Sequence, residues 1–305
     1  ELLRDAEFQL EKAVPCAGLQ GLSYQGWVRI PETSSAAGRA KYREWLPVCV
    51  DYSLAPASPQ LDVRIQFTNT ASDHRLRWNL SLPFKPAQSL AGLKFNVAAR
   101  PAGKQPAGRK APRIHPVHPA DHFAAAVHNG RGLAVFSEFP FNYELVAGKP
   151  PRLAVTLLRA VGYLCQPHEL STRPGTGAGP GTPTPDAQCL EREFTMRFAV
   201  RPFAADEAER LFYEAALWRA KPASAQIWAY YPKRTGDWDP DSPSFLMSSG
   251  EVILSAFKER LNGKGQCFRL FNPFPQEKEL RLTLPGVKAL EPLNLDEQPT
   301  GEKPQ

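Results

Sequence analysis

Leu61, Val63, Ile65 and Phe67 alternate with Asp62, Arg64, Gln66 and Thr68. That period of two is the mark of a strand with one face in a core, and it predicts a strand over Leu61–Asn69. Arg192 to Val200 (REFTMRFAV) repeats the pattern. Leu22 to Ile30 reads as a strand ended by Pro31, and Trp45 to Leu54 as one ended by the turn residues 55–59. Leu76 to Leu82 alternates less regularly. Phe123 to Val127, Gly132 to Ser137, Tyr143 to Val146 and Arg152 to Leu158 are four further short strands. Gly130-Arg131-Gly132 marks a hairpin connection between the first two. One stretch takes helical spacing, Asp206 to Arg219, with Ala208, Leu211, Phe212 and Ala215 on one side and acidic residues in the first turn. A second strand set follows: Phe245 to Met247, Val252 to Lys258, Gly265 to Phe271, Lys278 to Leu284 and Ala289 to Leu295. Asn262-Gly263 is a hairpin signal within it.

Gly and Pro interrupt this pattern in long runs. Residues 99–113 read as a basic low-complexity loop, 171–187 as a segment without regular structure, and 232–243 as a turn-rich loop. The fold class expected is all-β. A large super-β-sandwich spans 1–202, a helical and loop linker 203–244, and a small C-terminal β-sandwich 245–305.

Composition narrows the picture. A chain of 305 residues suggests two domains. Its 31 prolines suit loop-rich β architecture better than long helices. The net charge is +6, but Lys and Arg are scattered rather than clustered among aromatics, which argues against nucleic acid as a partner. Five cysteines, far apart and in no CxxC pair, suggest reduced thiols and a cytoplasmic setting rather than a disulfide framework. No apolar run approaches the roughly 20 residues of a membrane span. The start, Glu1-Leu2-Leu3-Arg4, has neither a signal peptide's layout nor a Met, and reads as a piece of something longer.

The densest polar run is Asp73-His74-Arg75-Leu76-Arg77, delivered by the strand that ends at Asn69. It has two readings. One is an ion pair of Asp73 with Arg75 or Arg77 that holds a strand corner. The other is a substrate-facing patch, since carboxylates and guanidinium forks make directed hydrogen bonds to hydroxyls. His115, His118, His122 and His128 suggest a metal at first sight, but Pro116 and Pro119 break any helix that would align them, and solvated loop imidazoles are expected. The Gly-rich run 172–180 is not a phosphate loop, because no GK[ST] follows and no helix opens on it. Trp228, Tyr230, Tyr231 and Trp238 are expected to pack between domains, or alternatively to stack on sugar rings.

Five stretches in order carry a family resemblance: VRIQFTNTASDHRLR (63–77), GRGLAVFSEFPFNYEL (130–145), LAVTLLRAVGYL (153–164), TRPGTGAGPGTPTPDAQC (172–189) and VILSAFKERLNGKGQCFRLFNP (252–273). Together they resemble the C-terminal half of bacterial α-mannosidases of glycoside hydrolase family 38. Phe139-Pro140-Phe141-Asn142-Tyr143-Glu144 stands where that family often has Gly-Leu-Pro-x-Tyr-Glu. The resemblance implies a super-sandwich like that of mutarotases, then a small sandwich. It implies a retaining hydrolase of α-mannosides whose zinc and nucleophile belong to an N-terminal barrel, so no catalytic residue, metal ligand or cofactor is expected in this chain. It also implies that the sandwich lends loops to the cleft rim, with Asp73, His74, Arg75 and Arg173 as the candidates. The expected partners are a mannose-containing oligosaccharide and the chain's own catalytic domain, with no membrane and with oligomerisation left open. The alternative is a stand-alone carbohydrate-binding module.

Overall fold

The alternation at 61–69 becomes one strand of a large antiparallel sheet. The computed structural model describes residues 6–16, 19–31, 34–35, 38–39, 43–103, 116–129, 131–164, 182–220, 246–247, 252–285, 287 and 289–301. The strands are β1 (Ala6–Cys16), β2 (Leu19–Pro31), β3 (Ser34–Ser35), β4 (Gly38–Arg39), β5 (Arg43–Leu54), β6 (Leu61–Asn69) and β7 (His74–Ser81). They continue as β8 (Gln88–Gly92), β9 (Val97–Pro101), β10 (His118–Ala120), β11 (Phe123–His128), β12 (Arg131–Ser137), β13 (Phe141–Val146), β14 (Arg152–Ala160) and β15 (Arg192–Ala204). Among the described residues, one sheet runs β1-β2-β5-β6-β15-β12-β11-β8-β9 and a second runs β10-β13-β14-β7.

The two sheets pack face to face as a sandwich, with their inward side chains as the core. Val63, Ile65 and Phe67 of β6 and Phe198 of β15 meet Leu76, Tyr143, Leu153 and Val155 of the smaller sheet. Phe67 stacks on Phe194 with centroids 5.0 Å apart. Phe198 is fully buried and lies 5.3 Å from Trp78 and 5.6 Å from Phe139. Aromatic pairs of this kind add about 0.5–1.5 kcal/mol each beyond the area they bury. The middle of the large sheet reads Phe123-Ala124-Ala125-Ala126 with every residue buried, so both of its faces are covered there.

The hairpin expected near residues 130–132 joins β11 to β12, with His128 opposite Arg131. Asn129 takes φ 44°, a left-handed conformation that Asn adopts more readily than most residues. Six strands carried no sequence signal strong enough to predict: β1, β3, β4, β8, β9 and β10. Strand β8 lacks alternation because one of its buried positions is polar. Ser89 is buried, and its hydroxyl lies 3.0 Å from the Tyr143 hydroxyl. Strand β9 extends into the stretch read as a loop from residue 99, and it tolerates Pro101 because it is a sheet edge.

The chain divides into two units, Glu1–Lys94 with Ala98–Ala208, and Phe95–Val97 with Glu209–Gln305. The predicted helix at 206–219 is two elements. Ala205–Arg210 winds as a 3-10 helix and Leu211–Arg219 as the α-helix α1. Glu207 ties down the start: Oε2 accepts the Ala204 N–H at 2.8 Å and Oε1 meets Arg201 Nη2 at 2.7 Å. That backward reach is one half of a capping box.

In the second unit Phe271 receives Phe95 and Phe212 edge-on, at 5.4 and 5.7 Å. Its described residues form two ladders, β17 (Ile253–Glu259) with β18 (Gln266–Phe271), and β16 (Leu246–Met247) with β19 (Leu282–Thr283). Asn262-Gly263 does turn the β17–β18 hairpin, with Gly263 at φ 70°. The strand expected over 289–295 is replaced by a turn. Pro292 supplies no N–H, and Asn294 Oδ1 accepts the N–H groups of Asp296 and Gln298 at 3.0 and 2.9 Å.

Gly132 sits opposite Phe203 on β15. A Cβ there would lie 2.2 Å from the Phe203 ring and 2.8 Å from the Ala126 carbonyl oxygen. Gly132→Ala therefore destabilises the sandwich by about 1–3 kcal/mol, as overpacking does. Chemical denaturation checks it, and an unchanged midpoint would contradict the packing described.

Candidate functional site

The Asp73 run forms the corner between β6 and β7, and the geometry there is set by hydrogen bonds to distant parts of the chain. Strand β6 ends on Asn69, which is fully buried. Asn69 Nδ2 donates to the Ala71 carbonyl at 3.0 Å and to the Gln188 carbonyl at 2.8 Å. Its own carbonyl accepts the Glu191 N–H at 2.8 Å. Asp73 then takes φ 48°, a conformation that Asp adopts more readily than most residues. Asp73 Oδ1 accepts the Gly162 N–H at 2.9 Å and Gln188 Nε2 at 3.0 Å, while Gln188 Oε1 accepts the Asp73 N–H at 2.8 Å. Gly162 is required for this approach, because a Cβ would lie 2.5 Å from Gln188 Nε2. Asp73 is thus a latch. It joins the β6–β7 corner to the end of β14 and to the 3-10 helix Pro185–Gln188.

The arginines of the run face a different carboxylate. Arg77 Nη1 lies 2.8 Å from Glu144 Oε2 and Arg75 Nη2 lies 3.9 Å from the same atom. The ion pair that the sequence suggested inside the run is made across the smaller sheet to β13. Arg75 also stands opposite Arg159 in the β7–β14 ladder. Burial lowers the Arg75 pKa from its ordinary value, and the charges of Arg77 and Arg159 lower it further, while Glu144 opposes them. Two guanidinium groups share one carboxylate here, and Arg75 is exposed.

His74 opens β7, paired with Ala160. Burial lowers its pKa below the ordinary 6.5, although the backbone at Ser72 and Ala71 and the charge of Asp73 pull upward. The imidazole is therefore held toward its neutral form.

Arg173, His115, the glycine-rich run 172–180 and the aromatic group Trp228, Tyr230, Tyr231 and Trp238 lie outside the described residues. The remaining histidines stand apart. His118 is on β10 beside the Tyr143 ring at 5.9 Å, and His122 Nε2 is 3.3 Å from Asp121 Oδ2, which also meets Lys94 at 3.0 Å. His128 lies at the far end of β11 from His122. Six residues of strand separate the two by about 20 Å, too far to share an ion. Among the described residues, no three His, Cys, Asp or Glu side chains converge to hold a metal. The described residues therefore do not assemble the donor set of a zinc site.

Glu144, Gln188, Asn69 and Gly162 escaped the sequence reading. Gln188 is 115 residues from Asp73, and no spacing rule links residues so far apart.

No family model matches the chain. A protein of Halalkalibacterium halodurans that carries the name mannosylglycerate hydrolase is 25% identical over 263 residues, covering 86% of this chain and 27% of that protein. Two solved structures from Enterococcus faecalis superpose on 96% of it. One, described as a protein in glycosyl hydrolase family 38, gives a TM-score of 0.72 at 19% identity. The other, an α-mannosidase, gives 0.73 at 20% identity. The chain has the fold of the C-terminal β region of glycoside hydrolase family 38. It spans 34% and 32% of the two solved chains, about a third of each.

Two outcomes test the corner. Asp73→Ala leaves the Gly162 N–H without its acceptor and costs about 1–3 kcal/mol. A double-mutant cycle with Gln188→Ala shows a coupling of about 0.5–3 kcal/mol, and strict additivity would remove the latch. For His74 the folded pKa is lowered, so the unfolded chain binds the proton more readily. Its contribution is fully present above 6.5 and is lost as pH falls from 6.5 toward the folded value. Stability measured between neutral and mildly acidic pH falls in that window, and His74→Gln flattens the fall.

Proposed function

We propose that this chain is the non-catalytic C-terminal region of a retaining α-mannosidase, supporting a zinc-dependent catalytic barrel that the chain does not contain. The observation that carries the reading is the asymmetry of coverage. Nearly the whole chain superposes on family 38 structures, yet it fills only about a third of each. The partial identity to the protein named mannosylglycerate hydrolase agrees, since it covers 86% of one and 27% of the other. Both names concern the hydrolysis of mannosides, so an α-linked mannoside is the substrate class. Asp73 serves this region by holding a corner, through bonds that are all internal. The exposed Arg75 is the rim candidate this reading keeps, since both ring nitrogens of His74 are buried.

The test compares two proteins. The purified 305-residue chain shows no hydrolysis of an aryl α-mannoside with or without added zinc. The same chain joined to a family 38 barrel hydrolyses it with retention of anomeric configuration, and chelation abolishes that activity. Turnover by the chain alone, or a barrel-bearing protein inert toward every α-mannoside, overturns the reading.

A further inference from the structure

The outward face of β2, β5, β6 and β15 presents a groove of about 330 Å³ that the corner does not use. Register lays its side chains in rows across the four strands. Gln25 stands opposite Cys49, Cys49 opposite Gln66, and Gln66 opposite Thr195. The next row pairs Trp27 with Pro47 and Thr68 with Glu193. On the inward side of the same strands the Phe67–Phe194 stack holds the sheet flat against the core. The groove is therefore built on rigid elements, which is where a precise binding site is best placed.

Its chemistry is selective. Trp27 stands 49% exposed at one wall, a large apolar face open to water. Beside it Trp45 is already stacked, with the Arg29 guanidinium 4.2 Å from its ring centre. The groove's polar groups are amides and hydroxyls with a single carboxylate, Glu193. Gln66 Nε2 donates to Thr195 Oγ1 at 3.2 Å, which orients both groups across the floor. The charges that flank the groove are matched within the fold: Asp51 takes Arg64 at 2.7 Å and Ser23 at 2.6 Å, and Arg197 takes Glu138 at 2.7 Å.

An exposed indole beside amides, hydroxyls and one carboxylate suits a ring with one apolar C–H face and a rim of hydroxyls. It does not suit a phosphate or a nucleic acid, because among the described residues no lysine or arginine lines the groove. Its volume falls in the range of small-molecule sites, which run from about 300 to 1,000 Å³. We propose that this groove is an accessory sugar site that binds one neutral hexopyranosyl unit, with the ring on Trp27 and its hydroxyls on Gln25, Gln66, Thr195 and Glu193. The site depends on the mannosidase reading only for the choice of mannose as first probe.

Methyl α-mannoside, methyl α-glucoside and methyl α-galactoside are titrated into the 305-residue chain, followed by tryptophan fluorescence. Alkylation of Cys49 by iodoacetamide, read by peptide mass, reports from inside the groove. The expected result is saturable binding at millimolar sugar, weakened at least tenfold in Trp27→Ala and in Gln66→Leu. Both residues are on the outward face, so their melting temperatures stay at the wild-type value. Bound sugar slows Cys49 alkylation and leaves Cys267, in the other unit, unaffected. No binding of any of the three sugars, binding undiminished in both variants, or unprotected Cys49 overturns the site. Binding of the glucoside or galactoside without the mannoside supports the groove and counts against the mannoside reading. A barrel-bearing protein inert toward α-mannosides would sink that reading without touching the groove.

Discussion

The pairing of β6 with β15 is the constraint on which the rest of this structure depends. Arg192 lies opposite Asn69 and Val200 opposite Leu61, across more than a hundred residues of intervening chain. That register puts Val63, Ile65 and Phe67 beside Phe198, Met196 and Phe194 on the core face, and Gln66 beside Thr195 on the outer face. A slip of one residue would send every one of these to the wrong side. It would also separate Asn69 from Glu191, whose N–H bonds to the Asn69 carbonyl and closes the corner.

The corner itself shows how a cluster of charged residues becomes architecture. Asp73, at left-handed φ, spends its carboxylate on Gly162 and Gln188. The arginines that follow turn to Glu144 on a neighbouring strand. The bonds to Gly162 and Gln188 both end on one oxygen, Asp73 Oδ1, and join three segments far apart in the chain. The corner therefore keeps the two sheets in register at one end of the sandwich. What it offers to solvent is guanidinium rather than carboxylate.

Much of the sandwich was legible in the chain. The period-two runs at 61–69 and 192–200 are strands, β11 and β12 pair as the hairpin expected near 130–132, and Asn262-Gly263 turns the β17–β18 hairpin. Strands without alternation were not legible. Strand β8 buries Ser89, and β9 is a short edge. The turn at 289–298 took the place of an expected strand because Asn294 satisfies two backbone N–H groups locally.

The sequence by itself determined the fold class, the two-face pattern of the strands and the resemblance to family 38, because each rests on residue type and short-range spacing. Only the tertiary structure decided which carboxylate holds the arginines, what Asp73 binds, and that Trp27, Gln66 and Thr195 share one groove. Those are contacts between strands far apart in the chain. Their geometry is set by register across a sheet, which no local pattern encodes.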